Sequence, residues 1–114
     1  MNNKEKGALG EQIASNYLSR CGFEIIERNY KTKCGEIDLI AKKEATISFV
    51  EVKSRNSLNY GYPCEGVNIK KQNKIKTVAK EYILRKNLKN FDYSFDIVEV
   101  YLKDKKINYM KNAF

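Results

Sequence analysis

Residues 35–55, GEIDLIAKKEATISFVEVKSR, constrain the fold most, because they encode two strands joined by a connector too short to carry another element. Ile37-Asp38-Leu39-Ile40 alternates apolar and polar before running apolar, and residues 47–53 are rich in β-branched and aromatic side chains; both patterns predict strands. Between them, Lys42-Lys43-Glu44-Ala45-Thr46 is short and mostly polar, which suits a hairpin although no Gly or Asn dictates the turn type. A register that pairs Asp38 near Glu51 sets the two acids side by side. Side chains two apart on a strand share a face, so Glu51 and Lys53 point the same way.

Two carboxylates and an ammonium at the end of an otherwise apolar sheet would be costly to bury without a use. Hard oxygen donors, here Asp38, Glu51 and a backbone carbonyl, suit Mg²⁺ or Mn²⁺, which keep several waters and favour substrate phosphates over closed protein cages. A lysine beside them can orient water or offset charge that builds on a phosphate.

Histidine is absent. That excludes a Ser-His-Asp triad, a Cys-His pair, an HNH-type nuclease and a His-ligated metal, leaving carboxylate, lysine, tyrosine or cysteine chemistry. The net charge of +8 favours a polyanionic partner, since Lys and Arg neutralising phosphates dominate nucleic-acid affinity. Apart from Arg20, Arg28, Arg55 and Arg85, however, the basic residues are all lysine, amid many Asn and Ile. Coding biased towards A and T yields the same profile, so charge alone does not decide the partner. Cys21, Cys34 and Cys64 are widely spaced and odd in number, which argues against a disulfide framework or zinc site and fits a reducing cytosol. With no leader-like apolar run and no stretch of about twenty apolar residues, the expectation is a cytoplasmic protein without a membrane span. A length of 114 residues predicts one domain, residues 1–114, large enough to bury roughly two thirds of its unfolded surface.

In chain order, residues 3–21 predict a helix with an apolar stripe of Leu9, Ile13, Ala14, Tyr17 and Leu18, closed by Gly22. Glu11 lies at the edge of that stripe, and spacing alone makes it a snorkelling or surface acid. Residues 23–30 predict a strand, and residues 31–35 turn into the strand bearing Asp38, where Glu36 is the nearest spare carboxylate. Residues 54–66 form the longest irregular segment, with Arg55 placed to hold a phosphate and Tyr60 and Tyr62 either stacking on bases or pinning the loop. From the N-cap Asn68 a helix runs to about Lys86, with Ile69, Ile75, Val78, Ala79, Tyr82 and Ile83 inward. Its other face carries Lys70, Lys71 and Lys74 among further cations, either a phosphate track or a solvated surface. Residues 93–102 and 107–110 predict two last strands, in which Asp96 reads as an edge or helix-contact residue rather than a ligand. The order αβββαββ predicts an α/β domain with a mixed central sheet flanked by helices.

Asp38 followed twelve residues later by Glu51-Val52-Lys53 resembles the PD-(D/E)XK nuclease superfamily, and the whole chain resembles its YraN family. The carriers are Gly7-Ala8-Leu9-Gly10-Glu11 with Ala14, residues 35–40, residues 49–53, Phe95-Asp96 and the terminal Asn112-Ala113-Phe114. The chain departs from the pattern at Ile37, where proline is usual, and at Ser94, where the family carries arginine. The resemblance implies a restriction-endonuclease-like fold and a metal-dependent endonuclease acting on DNA. In that reading Asp38, Glu51 and the Val52 carbonyl hold Mg²⁺ or Mn²⁺, Lys53 positions the attacking water, and Glu11 orders a hydrated or second ion. Gln72 takes the place of a glutamine that related nucleases carry near the metal. Cleavage of a four-way junction would require two active sites and hence a homodimer. Two further readings stand beside it: a non-catalytic nucleic-acid-binding module of the same fold, and a structural protein in which the acids and lysine form a buried ion pair.

Overall fold

The computed structural model describes residues 1–56 and 67–114. Its elements are α1 (Asn3–Arg20), β1 (Glu24–Thr32), β2 (Gly35–Lys43), β3 (Thr46–Arg55), α2 (Ile69–Lys86), β4 (Asp92–Tyr101) and β5 (Lys106–Met110). This is the expected αβββαββ order, compatible with a restriction-endonuclease-like fold. The five strands form one sheet in the order β1-β2-β3-β4-β5. Neighbours are antiparallel except β3 and β4, which run parallel because α2 lies between them in the chain and returns β4 in the same direction.

Both helices are delimited by their own caps. The Asn2 side chain accepts from the Glu5 amide at 2.8 Å, and the Asn68 side chain from the Lys71 amide at 2.9 Å, each satisfying a donor the helix start leaves unpaired. At the end of α1, Gly22 adopts φ 97°, while the amides of Gly22 and Phe23 return to the carbonyls of Ser19 and Leu18. That is the left-handed closure glycine permits.

The two helices cover opposite faces of the sheet. Ala14 and Leu18 of α1 pack on Leu39, Val50, Val98 and Val100. On the other side Ile75, Val78, Ala79 and Tyr82 of α2 pack on Ile37, Ile40, Ile47 and Phe49. Strands β3 and β4 are thereby buried on both faces, which accounts for their near-continuous apolar runs. The same double cover corrects the expectation for Asp96: it is fully buried rather than at an edge, and accepts from the Tyr109 hydroxyl, the Asn112 amide and Ser94. Among the described residues no helix is long and apolar enough to cross a membrane.

Two expected inward residues face out. Ile69 is 68% exposed, because α2 enters over the polar end of β2 and β3, where Lys71 and Gln72 take the inward positions and burial begins only at Ile75. Leu9 is 39% exposed, since α1 approaches the sheet through its neighbour Gly10. A Cβ on Gly10 would sit 1.8 Å from the Ser54 hydroxyl and 3.0 Å from the Ser54 Cβ, whereas one on Gly7 would meet nothing within 4 Å. The two glycines therefore separate by experiment. Gly10→Ala is expected to cost about 2 kcal/mol by forcing α1 off β3, and Gly7→Ala to gain about 0.5–1 kcal/mol from helix propensity; urea denaturation of the two variants checks both signs.

Candidate active site

The β2–β3 hairpin sets the site. Its register runs Leu39↔Val50, Ile40↔Phe49, Ala41↔Ser48, Lys42↔Ile47 and Lys43↔Thr46, so only Glu44 and Ala45 remain as the turn, tighter than the expected five-residue connector. Glu44 accepts the left-handed backbone, φ 54°, that so short a turn demands. One step past Leu39↔Val50 the strands stop pairing and Asp38 reaches across, its Oδ2 accepting from the Val52 amide at 2.8 Å. The Asp38 and Glu51 carboxyls lie within hydrogen-bonding reach of each other, as the register anticipates.

Burial and that neighbour decide the charge of the pair. Desolvation first, then the hydrogen bond and Coulomb field of Glu51, push the Asp38 carboxyl up to about 8, against the opposing effect of the Val52 amide. Glu51 itself is 3% exposed, and two ammonium groups approach its Oε2: Lys71 in direct contact and Lys53 at 3.7 Å. Lys53, sharing the face of Glu51 as strand alternation requires, has its ammonium pulled below the usual lysine range by burial and then by Lys71. For Lys71 burial also pulls downwards, but its contacts with Glu51 and the field of Asp38 outweigh it, and the net shift is upward.

Glu11 joins from the α1 side. It lines an opening of about 300 Å³ with Lys6, Gly7, Val52, Ser54 and Asn56. Burial raises its carboxyl, a hydrogen bond from Asn29 opposes the shift, and the charges of Glu36 and Glu51 add to it. Asn29 holds φ 49° between the Arg28↔Leu39 and Tyr30↔Ile37 pairs of β1 and β2, a conformation asparagine tolerates. On the α2 side, Glu36, Asp38, Glu51, Lys71 and Lys74 line a second opening of about 130 Å³. The tip of β2 and β3 thus separates two concave, lysine-flanked surfaces.

Asp38, Glu51 and Lys53 are brought together, and Lys71 with them. Gln72 is not: its side-chain amide donates to the Val67 carbonyl at 3.0 Å, and it does not line the opening over the carboxylates. Arg55 pairs through Nε with the fully buried Glu99 at 3.2 Å, and Glu99 also accepts from Tyr101 and Asn108. Lys70 and Lys74 are exposed on the first turns of α2. Tyr60 and Tyr62 lie outside the described residues. Glu99 was missed in the sequence, although it falls in phase with Phe95 and Ile97 on the face that meets α2; the Lys71 contact has no local signature, because it depends on how α2 crosses the sheet.

The donor set fits a hard divalent cation. Asp38 and Glu51 offer carboxylate oxygens, their mutual repulsion is relieved by positive charge, and the Lys71 ammonium already supplies such charge at Glu51. Among the described residues no three Cys, Asp or Glu side chains gather into a complete metal-holding group, so the two acids would need the Val52 carbonyl and waters to complete a coordination shell.

The sequence matches the model of the uncharacterised protein family UPF0102 over residues 10–100. It is 56% identical over 114 residues to a UPF0102 protein of Clostridioides difficile (strain 630), covering the whole of both chains. It is 54% identical over 112 residues to one of Alkaliphilus metalliredigens, covering 97% of this chain and 98% of the relative. A third, from Caldicellulosiruptor saccharolyticus, is 48% identical across the full length of both. Among solved structures, SfsA of Pyrococcus furiosus in complex with Ca²⁺ aligns with a TM-score of 0.36 and 18% identity over 96% of this chain, which spans 64% of that one. The chain belongs to the UPF0102 family.

Proposed function

We propose that this member of the UPF0102 family is a metal-dependent nuclease of the PD-(D/E)XK type, cutting phosphodiester bonds in DNA at the tip of β2 and β3. The observation that carries the reading is the placement of two adjacent, largely buried carboxyls, Asp38 and Glu51, beside a lysine whose charge is weakened, Lys53. A chain concerned only with stability gains little from such an arrangement, because buried acids that repel one another cost free energy.

Asp38, Glu51 and the Val52 carbonyl would hold Mg²⁺ or Mn²⁺. Such an ion, when bound, lowers the pKa of its water and offsets charge on the phosphate. The residues of the chain do the rest. Lys53, sharing the face of Glu51, orients the attacking water, and its depressed ammonium suits that task because it exchanges a proton more readily than a free lysine. Glu11, across the tip from Asp38, orders water on the α1 side. Lys70 and Lys74 contact phosphates of the bound strand, while Arg55, tied to Glu99, fixes the end of β3. Gln72 acts by pinning the start of α2 through Val67, which sets where Lys71 falls. A cytoplasmic location fits this reading, and cleavage of a four-way junction would call for a pair of chains.

The test is incubation with linear duplex, single-stranded, flapped and four-way-junction DNA in Mg²⁺, Mn²⁺ or chelator, with Lys53→Ala purified in parallel. Cuts that need metal and fall at least about 100-fold in the variant are expected. Binding that is equal in chelator, with no cuts by either protein, would instead favour the non-catalytic module.

A further inference from the structure

Glu51 is 3% exposed, and a carboxylate so placed requires a counter-charge. Two lysines supply it, but from different settings. Lys53 stands on the same strand face and keeps 3.7 Å from Oε2, at 22% exposure. Lys71 comes from α2, touches the same oxygen, and remains 44% exposed along a long flexible side chain. Its helix position is fixed independently, since its own amide is held by the Asn68 cap and α2 is packed through Ile75, Val78 and Tyr82. Withdrawal of the ammonium from Glu51 therefore needs only rotamer changes, without movement of the backbone. The same side chain lines the opening over Asp38 together with Lys74, so a withdrawn ammonium stays at the mouth of the site.

We propose that Lys71 is an exchangeable counter-cation: it neutralises Glu51 in the metal-free protein, yields that oxygen when a divalent ion binds between Asp38 and Glu51, and then contacts a phosphate of bound nucleic acid. The inference rests on the metal-site reading above. Its physical ground is that a divalent ion and two ammonium groups around one buried carboxylate repel one another, and Lys71 is the one with a short path to solvent. Lys71 thereby couples occupancy of the metal site to capture of the substrate.

The experiment titrates Mn²⁺ into the full chain, following the free-ion electron paramagnetic resonance signal, for wild type, Lys71→Met, Lys71→Arg and Asp38→Asn. Lys71→Met is expected to bind Mn²⁺ about tenfold more tightly, because a competing cation is gone. It should also melt lower without metal and gain more from Mn²⁺ than wild type does. In the presence of metal its affinity for duplex DNA should fall, with a salt slope reduced by about one. Lys71→Arg, which keeps the charge, should stay near wild-type Mn²⁺ affinity. A merely structural lysine would leave Mn²⁺ affinity unchanged or weakened in Lys71→Met. That result, with wild-type binding intact and lost in Asp38→Asn, would overturn the counter-cation alone. Absence of Mn²⁺ binding in every protein would overturn both it and the metal site.

Discussion

Asp38→Asn is expected to reduce metal-dependent DNA cleavage by about 1,000-fold or more while making the metal-free protein more stable. On the proposed function the loss follows from removing one of the two carboxylates that would hold the metal, whose charge would offset the negative charge building on the phosphate, where a single interaction contributes several kcal/mol. The gain in stability follows from the state of the pair. Burial and Glu51 hold the Asp38 carboxyl up at about 8, far above an ordinary aspartate. Between the unfolded value and that raised one, the native protein keeps a proton that the unfolded chain gives up. Its stability is therefore present in acid and is lost as pH rises through the folded value. Asparagine keeps an acceptor for the Val52 amide and carries no charge to repel Glu51. Urea denaturation at pH 5 and pH 8 should show wild type weakening with pH and Asp38→Asn holding level, about 1–3 kcal/mol ahead at the higher pH. A variant that lost both activity and stability would mark Asp38 as structural.

The largest loss of stability is expected on the opposite face of the sheet from that pair, at Asp96. This carboxylate is fully buried beside the α1 face and binds the C-terminal segment back onto β4. The Tyr109 hydroxyl donates to it at 2.6 Å, the Asn112 amide at 3.0 Å, and the Ser94 hydroxyl donates as well. Around these bonds Ala113 donates to the Phe95 carbonyl at 2.7 Å and Phe114 packs on Phe95 with ring centroids 5.5 Å apart. Burial and Asp96 together keep the Tyr109 phenol protonated well above its usual range. Asp96→Ala removes the buried acceptor shared by three hydrogen bonds, of which the Ser94 hydroxyl keeps a second partner, Asn112 Oδ1 at 3.0 Å, and is expected to cost about 3–4 kcal/mol. That corresponds to a fall of roughly 15 °C in Tm for a chain of this size. Because Asp96 pairs with Val50 inside the sheet rather than with the tip, cleavage per folded molecule should be retained. A loss under about 1 kcal/mol would show that the Ala113 bond and the Phe114 contact hold the C-terminal segment without Asp96.

What the sequence made legible is what local pattern controls. Asn68 and Gly22 marked helix ends because capping is a matter of adjacent residues. The alternation around Asp38 and Glu51 placed both acids in register because a short hairpin leaves few pairings that keep Ile40 and Phe49 inside. The tightness of the turn was less visible, since Glu44 takes a left-handed backbone without being Gly or Asn. What escaped depends on three-dimensional layering. For Asp96 the choice between an edge and a helix-contact residue stayed open because period-two alternation does not tell whether helices cover both sides of β4. Ile69 read as core because an apolar residue in helical phase is not informed of where its helix leaves the sheet. Lys71 and Gln72, adjacent in the chain, exchanged expected positions at the site: one turn of α2 over the carboxylates decides between them, and only the crossing of helix and sheet fixes that turn.

The most direct test of the account is a crystal of the protein soaked in Mn²⁺ and measured for anomalous scattering. The account predicts one strong peak at the tip of β2 and β3, ligated by oxygens of Asp38, Glu51 and the Val52 carbonyl, with the Lys71 ammonium drawn away from Glu51. A tip without a peak, its lysine still on Glu51 at saturating Mn²⁺, would contradict it.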